Sequence, residues 1–158
     1  MEPNKISSTS PLEEAPFQPG QNPAARILVV DDDADVRRVN TEILVDAGYV
    51  VKAAQDGAAA WDDLQQNSYD LLVTDNSMPK MSGMELIGRL QKVRRVLPTI
   101  MVTGMPPEEA WSRRAHLAAV LIKPYTAAEL LAEVRKVLRP NDRADGAAVS
   151  VPIGSASR

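Results

Sequence analysis

Five short apolar runs alternate along the middle of the chain with longer segments of mixed polarity. In chain order the runs read RILVV, YVVKAA, DLLVT, TIMVT and AVLIK. Their β-branched residues and largely apolar character indicate strands that are covered on both faces of a parallel sheet. Each run is followed by a segment with helical features, so the pattern predicts an α/β fold of five βα units, (βα)5. Right-handed connections then make a doubly wound parallel five-stranded sheet.

The segments between the runs carry apolar stripes and helix end signals. The stripe of segment 35–47 consists of Val36, Val39, Ile43, Leu44 and Ala47, and that of segment 126–138 consists of Leu130, Leu131, Val134, Val137 and Leu138. Gly48 is expected to end the first helix. Thr126 is expected to cap the last helix with Glu129 three residues later, and Ser82 to cap the helix after the third strand.

The ends of the chain differ in composition from its middle. Pro, Ser, Gln and Asn are frequent before Arg26, and the final stretch, PNDRADGAAVSVPIGSASR, is small and polar without periodicity. We therefore predict one domain at 26–139 between disordered tails at 1–25 and 140–158.

The 158 residues include no cysteine and carry a formal net charge of -3, with 44% apolar residues. This composition favours a soluble protein without disulfides, for which nucleic acid is not an obvious direct partner. The N-terminal stretch lacks the apolar core of a secretory signal, and the longest apolar runs are too short to span a bilayer. We therefore expect no membrane partner and a cytoplasmic location.

Polar side chains stand where the predicted strands end. They are Asp31 and Asp32 after the first strand, Asp75 after the third, Thr103 at the fourth and Lys123 at the fifth. Parallel strands end at one edge of a sheet, so these groups are expected to share a cleft. Clustered carboxylates repel one another, and Mg²⁺ relieves that repulsion. A carboxylate can also carry a phosphoryl group, whose charge the metal and Lys123 would offset. Asp75 is therefore a candidate phosphoacceptor.

The stretches ILVVDDD, LLVTDNSMPKMSGMEL, TIMVTG and LIKPY, in this order and spacing, resemble the motifs of the receiver domains of bacterial two-component response regulators. The resemblance implies a flavodoxin-like receiver fold with strand order 2-1-3-4-5. It implies that Asp75 accepts a phosphoryl group from a histidine of a kinase or phosphotransfer protein, and that Thr103 and Lys123 engage the phosphoryl oxygens. It further implies a cis peptide bond before Pro124.

The resemblance also implies a set of magnesium ligands. Asp32 would bind Mg²⁺ directly, Asp31 mainly through water, and Asp75 together with the backbone carbonyl of Ser77 would complete the protein ligands. The expected protein is a regulatory phosphoacceptor and not an enzyme. Its partners would be a sensor histidine kinase or a histidine phosphotransfer protein, and an unknown downstream protein reached by contact or by phosphorelay.

Some positions depart from the family pattern. The position three before Lys123, usually aromatic in the family, is Val120, and the usual Gly-Ala before the fifth strand is replaced by His116 and Leu117. Thr103 and Lys123 are slightly closer in sequence than in typical members. A shortened fourth helix that begins near MPPEEAW is therefore expected.

Two other classes of protein use similar patterns of acids. Asp31, Asp33, Asp35 and Glu42 stand at positions 1, 3, 5 and 12 of a calcium-binding loop, but Val36 occupies the position that needs glycine. A haloacid dehalogenase-like phosphatase would use Asp31 as nucleophile and Asp33 as general acid, and it leaves Asp75 unexplained. Both remain alternatives at this stage.

Overall fold

Five parallel strands form the centre of the molecule. The computed structural model describes residues 24–105 and 107–139. The strands are β1 (Arg26–Val30), β2 (Val50–Ala54), β3 (Leu71–Asp75), β4 (Thr99–Thr103) and β5 (Ala119–Ile122). The helices are α1 (Ala34–Asp46), α2 (Gly57–Gln66), α3 (Gly83–Lys92), α4 (Glu109–Arg114) and α5 (Ala127–Leu138). The strand order is β2-β1-β3-β4-β5 with every pair parallel, which confirms the predicted fold.

The predicted domain contains all of these elements. Its predicted limits, 26–139, start at the first residue of β1 and end one residue after α5. The predicted tails at 1–25 and 140–158 lie outside the described residues, apart from positions 24 and 25.

Alternate side chains of the strands are buried on opposite faces of the sheet. On one face Ile27 and Val29 of β1 pack with Leu44 of α1 and with α5. On the other face Leu28 and Val30 of β1 pack with α2 and α3. Because both faces are covered, almost every residue of β1, β3 and β4 is buried. This explains why these strands are nearly continuous apolar runs.

The predicted helix ends are confirmed. Gly48 follows α1 with φ of 97°, a conformation that glycine adopts without steric cost. Ser82 and Thr126 cap α3 and α5, each in a capping box with the glutamate three residues later.

The predicted apolar stripe of α1 is partly wrong. Val39 is 45% exposed, and Ala47 is exposed as well. Asn40, which the stripe leaves out, is buried together with Leu44. A polar residue can occupy this core position because a distant side chain satisfies its amide, as described below.

The fourth helix is short, as expected. It spans six residues, and Glu108 at its N-cap makes no side-chain capping bond. Trp111 packs against a small cluster that contains Ile87 of α3 and Met101 of β4. No helix within residues 24–105 and 107–139 is long and apolar enough to cross a membrane.

Candidate functional site

The strand ends bring three carboxylates together. Asp31 and Asp32 directly follow β1, and Asp75 is the last residue of the adjacent strand β3. One carboxylate oxygen of each residue lies within 4.8 Å of the others. Asp31 and Asp75 are buried, whereas Asp32 is exposed. The three acids that the sequence predicts at this edge of the sheet therefore lie close together.

Asp31 is fixed from two sides. Its Oδ1 accepts a hydrogen bond from the backbone N–H of Asp33 at 2.9 Å. Its backbone carbonyl accepts a hydrogen bond from the guanidinium of Arg37 at 2.7 Å, a contact that nothing in the sequence pattern indicates. Burial raises the pKa of Asp31, and the charges of Asp75 and Asp32 raise it further, although the Asp33 N–H and Lys123 act in the opposite direction.

Asp75 is held by the first turn of α3. A Cβ atom at Gly83 would lie 2.4 Å from the carbonyl oxygen of Asp75, so only glycine allows this close approach. The Gly83 N–H donates to the carbonyl of Asn76 at 3.1 Å. The backbone N–H of Ser77 lies 3.4 Å from Asp75 Oδ1. The Gly of the motif thus brings a helix start against the end of β3.

Lys123 lies between the buried carboxylates. Its Nζ is 3.5 Å from Asp75 Oδ2 and 3.7 Å from Asp31 Oδ2. Burial by itself would lower the pKa of Lys123, but the negative charges of Asp31 and Asp75 outweigh it and the pKa is raised. Lys123 is joined to Pro124 by the cis peptide bond that the resemblance implies.

The hydroxyl of Thr103 contacts the loop after β4. Thr103 is buried, with 3% of its surface exposed. Its Oγ1 donates to the carbonyl of Met105 at 2.9 Å and accepts from the N–H of Met105 at 3.2 Å. The hydroxyl at the edge of the cleft is thus engaged by the backbone that leads towards α4.

A second contact holds the loop between β3 and α3, and the sequence reasoning missed it. Lys80, which has a positive φ of 67°, places its Nζ 3.6 Å from Oδ2 of the buried Asp56. A Cβ at Gly57 would lie 2.5 Å from the carbonyl oxygen of Met81. The loop that carries Ser77 is therefore packed on the first turn of α2. The Asp-Gly pair before an apolar helix was the only local signal.

The acids of the calcium-loop alternative have other roles. Asp33 caps α1 by accepting from the N–H groups of Asp35 and Val36. Asp35 and Glu42 lie on the surface, 3.5 and 3.8 Å from the guanidinium of Arg38. Among the residues that the structure describes, Asp31, Asp32 and Asp75 form the acidic group that could hold a metal ion.

The composition of the cleft fits a divalent cation. Lys123 pairs with two of the three carboxylates, Asp31 and Asp75, so two negative charges of the group remain to be balanced when all these side chains are ionised. Oxygen ligands with an exposed member, Asp32, suit a hard cation that keeps some of its water.

Comparison with known proteins identifies relatives of this chain. The response regulator receiver domain family matches residues 27–135. The response regulator receiver protein CpdR of Brucella abortus is 36% identical over 118 residues, which cover 72% of this chain and 96% of CpdR. The response regulator RppA of Synechocystis is 37% identical, over 72% of this chain and 50% of RppA. The chain thus spans only about half the length of RppA.

A solved structure has the same fold. The response regulator TrrA of Thermotoga maritima, crystallised in complex with Mg²⁺ and BeF, is 31% identical, with a TM-score of 0.66. The match covers 72% of this chain and 99% of TrrA.

Proposed function

Because this chain belongs to the response regulator receiver domain family, we propose that it is a phosphorylation switch in which Asp75 is the phosphoacceptor. The observation that carries the proposal is the position of Asp75. Its carboxylate lies at the end of a central strand, within 4.8 Å of two further carboxylates and 3.5 Å from the ammonium of Lys123. Neither the calcium-loop nor the phosphatase alternative accounts for this placement.

In the proposed reaction an oxygen of the Asp75 carboxylate attacks the phosphorus of the donor. The P–N bond to a histidine of a sensor kinase or phosphotransfer protein breaks, and the imidazole nitrogen leaves with the bonding electron pair. Lys123 offsets the charge of the phosphoryl oxygens, which is the main requirement of phosphoryl transfer. The neighbouring carboxylates raise the pKa of Lys123, which favours the charged form that this role requires.

We further propose that Asp31, Asp32, Asp75 and the carbonyl of Ser77 hold Mg²⁺. The metal, when bound, supplies positive charge against the transferred group. Asp31 is oriented for this by the N–H of Asp33, and Asp32 remains open to water. The Mg²⁺ in the TrrA complex supports the choice of cation.

Thr103 is proposed to transmit the phosphorylation state of Asp75 to the loop before α4. A phosphoryl group on Asp75 offers an acceptor to the hydroxyl of Thr103. The hydroxyl then gives up its hydrogen bond to the Met105 carbonyl and donates to a phosphoryl oxygen instead. The loop that begins at Gly104 and leads into α4 is released from that contact. A downstream protein that binds one of the two arrangements better reads the state of the switch.

The first test is labelling by a small phosphodonor. Acetyl phosphate with Mg²⁺ should phosphorylate the wild-type chain, with acetate as the leaving group. Asp75→Asn should abolish the label, because an amide is not nucleophilic enough to replace the carboxylate, while Asp31→Asn should only weaken it. Label that survives on the Asp75→Asn variant and disappears with Asp31→Asn would assign the nucleophile to Asp31 and favour the phosphatase alternative.

The second test concerns the metal. Titration with Mg²⁺ should show weak binding, since this ion keeps several waters and uses few protein ligands. Asp32→Ala should remove both Mg²⁺ binding and phosphorylation. The matched control is Asp35→Ala, which removes an exposed acid that contacts Arg38 and lies outside the group of three. Tight calcium binding that persists in Asp32→Ala but not in Asp35→Ala would support the calcium loop.

A further inference from the structure

An amide inside the apolar layer between α1 and the sheet depends on one distant hydroxyl. Asn40 is 4% exposed. Its Nδ2 donates to the hydroxyl of Tyr125 at 2.8 Å, and the hydroxyl lies 3.0 Å from Asn40 Oδ1, to which it donates. Asn40 and Tyr125 are 85 positions apart in the sequence. We call this pair the Asn40–Tyr125 contact.

This contact joins the two sides of the cleft. Tyr125 lies two residues after Lys123, in the connection between β5 and α5. Asn40 belongs to α1, whose Arg37 donates to the carbonyl of Asp31. One helix is therefore bonded both to the acid that closes β1 and to the turn that carries the lysine.

A hydrogen-bonded pair fixes the relative orientation of the two elements that it joins, which an apolar pair does not. Apolar side chains hold two elements together without direction, whereas hydrogen bonds weaken steeply when their angles change. The cost of leaving a buried amide without a partner also disfavours any arrangement in which Tyr125 moves away from Asn40. The side chain of Lys123 is 32% exposed and is long, so its turn needs such support to hold the ammonium near the carboxylates.

We propose that Asn40 and Tyr125 are positioning residues for phosphoryl transfer, which set the place of Lys123 relative to Asp75. This inference rests on the role proposed above for Lys123. Neither residue touches the transferred group in the proposal. They act through the turn between β5 and α5.

The test compares two tyrosine variants of the full chain by calorimetric titration. Tyr125→Phe should weaken the binding of beryllofluoride, measured in saturating Mg²⁺, by about fivefold, the value of one lost hydrogen bond. The affinity for Mg²⁺ alone should not fall, because the carboxylates keep their places. The control is Tyr69→Phe, which removes a hydroxyl that donates to Asp63 of α2. Tyr69 precedes β3 and so lies at the amino ends of the strands, away from the acidic group. This control variant should leave the affinity for beryllofluoride unchanged.

A double variant separates positioning from stability. Asn40→Leu combined with Tyr125→Phe buries no unpaired polar group, so it should recover the stability that Tyr125→Phe loses. Its affinity for beryllofluoride should stay low, because the directional contact is still missing. Wild-type affinity in the double variant, or in Tyr125→Phe, would overturn the positioning role. No binding of beryllofluoride by the wild-type chain would instead overturn the proposed function, and the positioning role with it.

Discussion

The buried carboxylates of the described chain have backbone N–H groups and lysine ammoniums as partners. Asp31 and Asp75 share the ammonium of Lys123, whereas Asp56 combines a backbone N–H with the ammonium of Lys80. The Oδ1 of Asp56 accepts from the N–H of Ala59 at 2.8 Å, and its Oδ2 faces Lys80. The Ala59 N–H lowers the pKa of Asp56 and Lys80 lowers it further, and together they outweigh the effect of burial. Asp56 therefore stabilises the folded state in its charged form.

A pH dependence of stability follows at this residue. The folded-state pKa of Asp56 lies below the ordinary value of 3.8, so its contribution is complete above that value and is lost as the pH falls through the folded-state pKa. Asp56→Asn keeps a capping oxygen but removes the charge, and should lower the free energy of unfolding by about 1 kcal/mol near neutral pH.

Urea unfolding checks this expectation. The difference between wild type and Asp56→Asn should shrink as the pH falls below the ordinary value of 3.8 and through the lower folded-state pKa. Asp62→Asn, on the exposed side of the same helix, serves as the control and should change stability by less than about 0.5 kcal/mol. A constant difference at all pH values would mean that the charge of Asp56 is not what stabilises α2.

The local sequence pattern predicts the positions of some site residues but not the burial of Asn40. Asp31, Asp75, Thr103 and Lys123 follow apolar runs, and the parallel sheet brings such positions to one edge. Asn40 reads as a polar interruption of a helix stripe. Its burial depends on Tyr125, far away in the chain, and no periodicity within α1 contains that information.

At the scale of elements, α3 shows how a helix start positions a functional group. Its N-cap is a local feature that the sequence predicts at Ser82, and the structure shows that Glu85 completes a capping box there. The close approach of Gly83 to the carbonyl of Asp75 was not, because it depends on how α3 meets β3 in space. Two residues thus place α3: Ser82, whose role can be predicted from the local sequence, and Gly83, whose role depends on the tertiary structure.

Two alanine variants of α3 should therefore change the free energy of unfolding in opposite directions. Gly83→Ala introduces a Cβ 2.4 Å from the Asp75 carbonyl and should lower the free energy of unfolding by about 1–3 kcal/mol. It should also slow labelling by acetyl phosphate, because Asp75 must shift. At Gly88 a Cβ meets nothing within 4 Å, so Gly88→Ala should raise stability by about 0.5–1 kcal/mol with normal labelling. Urea unfolding of both variants measures the contrast, and equal effects would contradict it.

For the whole molecule, the order of the strands decides which groups meet. The alternation of runs and helical segments predicts five parallel strands but not their order. The order came from the resemblance, and it places β1 and β3 side by side so that Asp31 and Asp75 share a cleft. The sheet of the structure confirms the order, and the family match and the fold of TrrA confirm the class.

The transmission of the signal can be tested over the whole chain by hydrogen exchange. Val120 is half-buried, and a short β-branched side chain cannot swing as an aromatic ring does. We therefore expect beryllofluoride with Mg²⁺ to change protection mainly in segment 104–116 and in the loop after Asp75. Asp75→Asn, treated identically, is the control and should show no change. Changes confined to α1 would move the output surface to the other side of the sheet.

The two bonds that the Thr103 hydroxyl already makes have a thermodynamic consequence. In the proposed switch, capture of a phosphoryl oxygen replaces a neutral hydrogen bond with one to a charged group, so the net gain is only the difference between the two, about 1 kcal/mol. Converting an equilibrium from 1:99 to 99:1 takes about 5.5 kcal/mol. The charge of the phosphoryl group and the binding energy of the downstream protein must supply the difference. Linkage then requires that the partner, once bound, favours the phosphorylated chain by the same factor by which phosphorylation favours the partner.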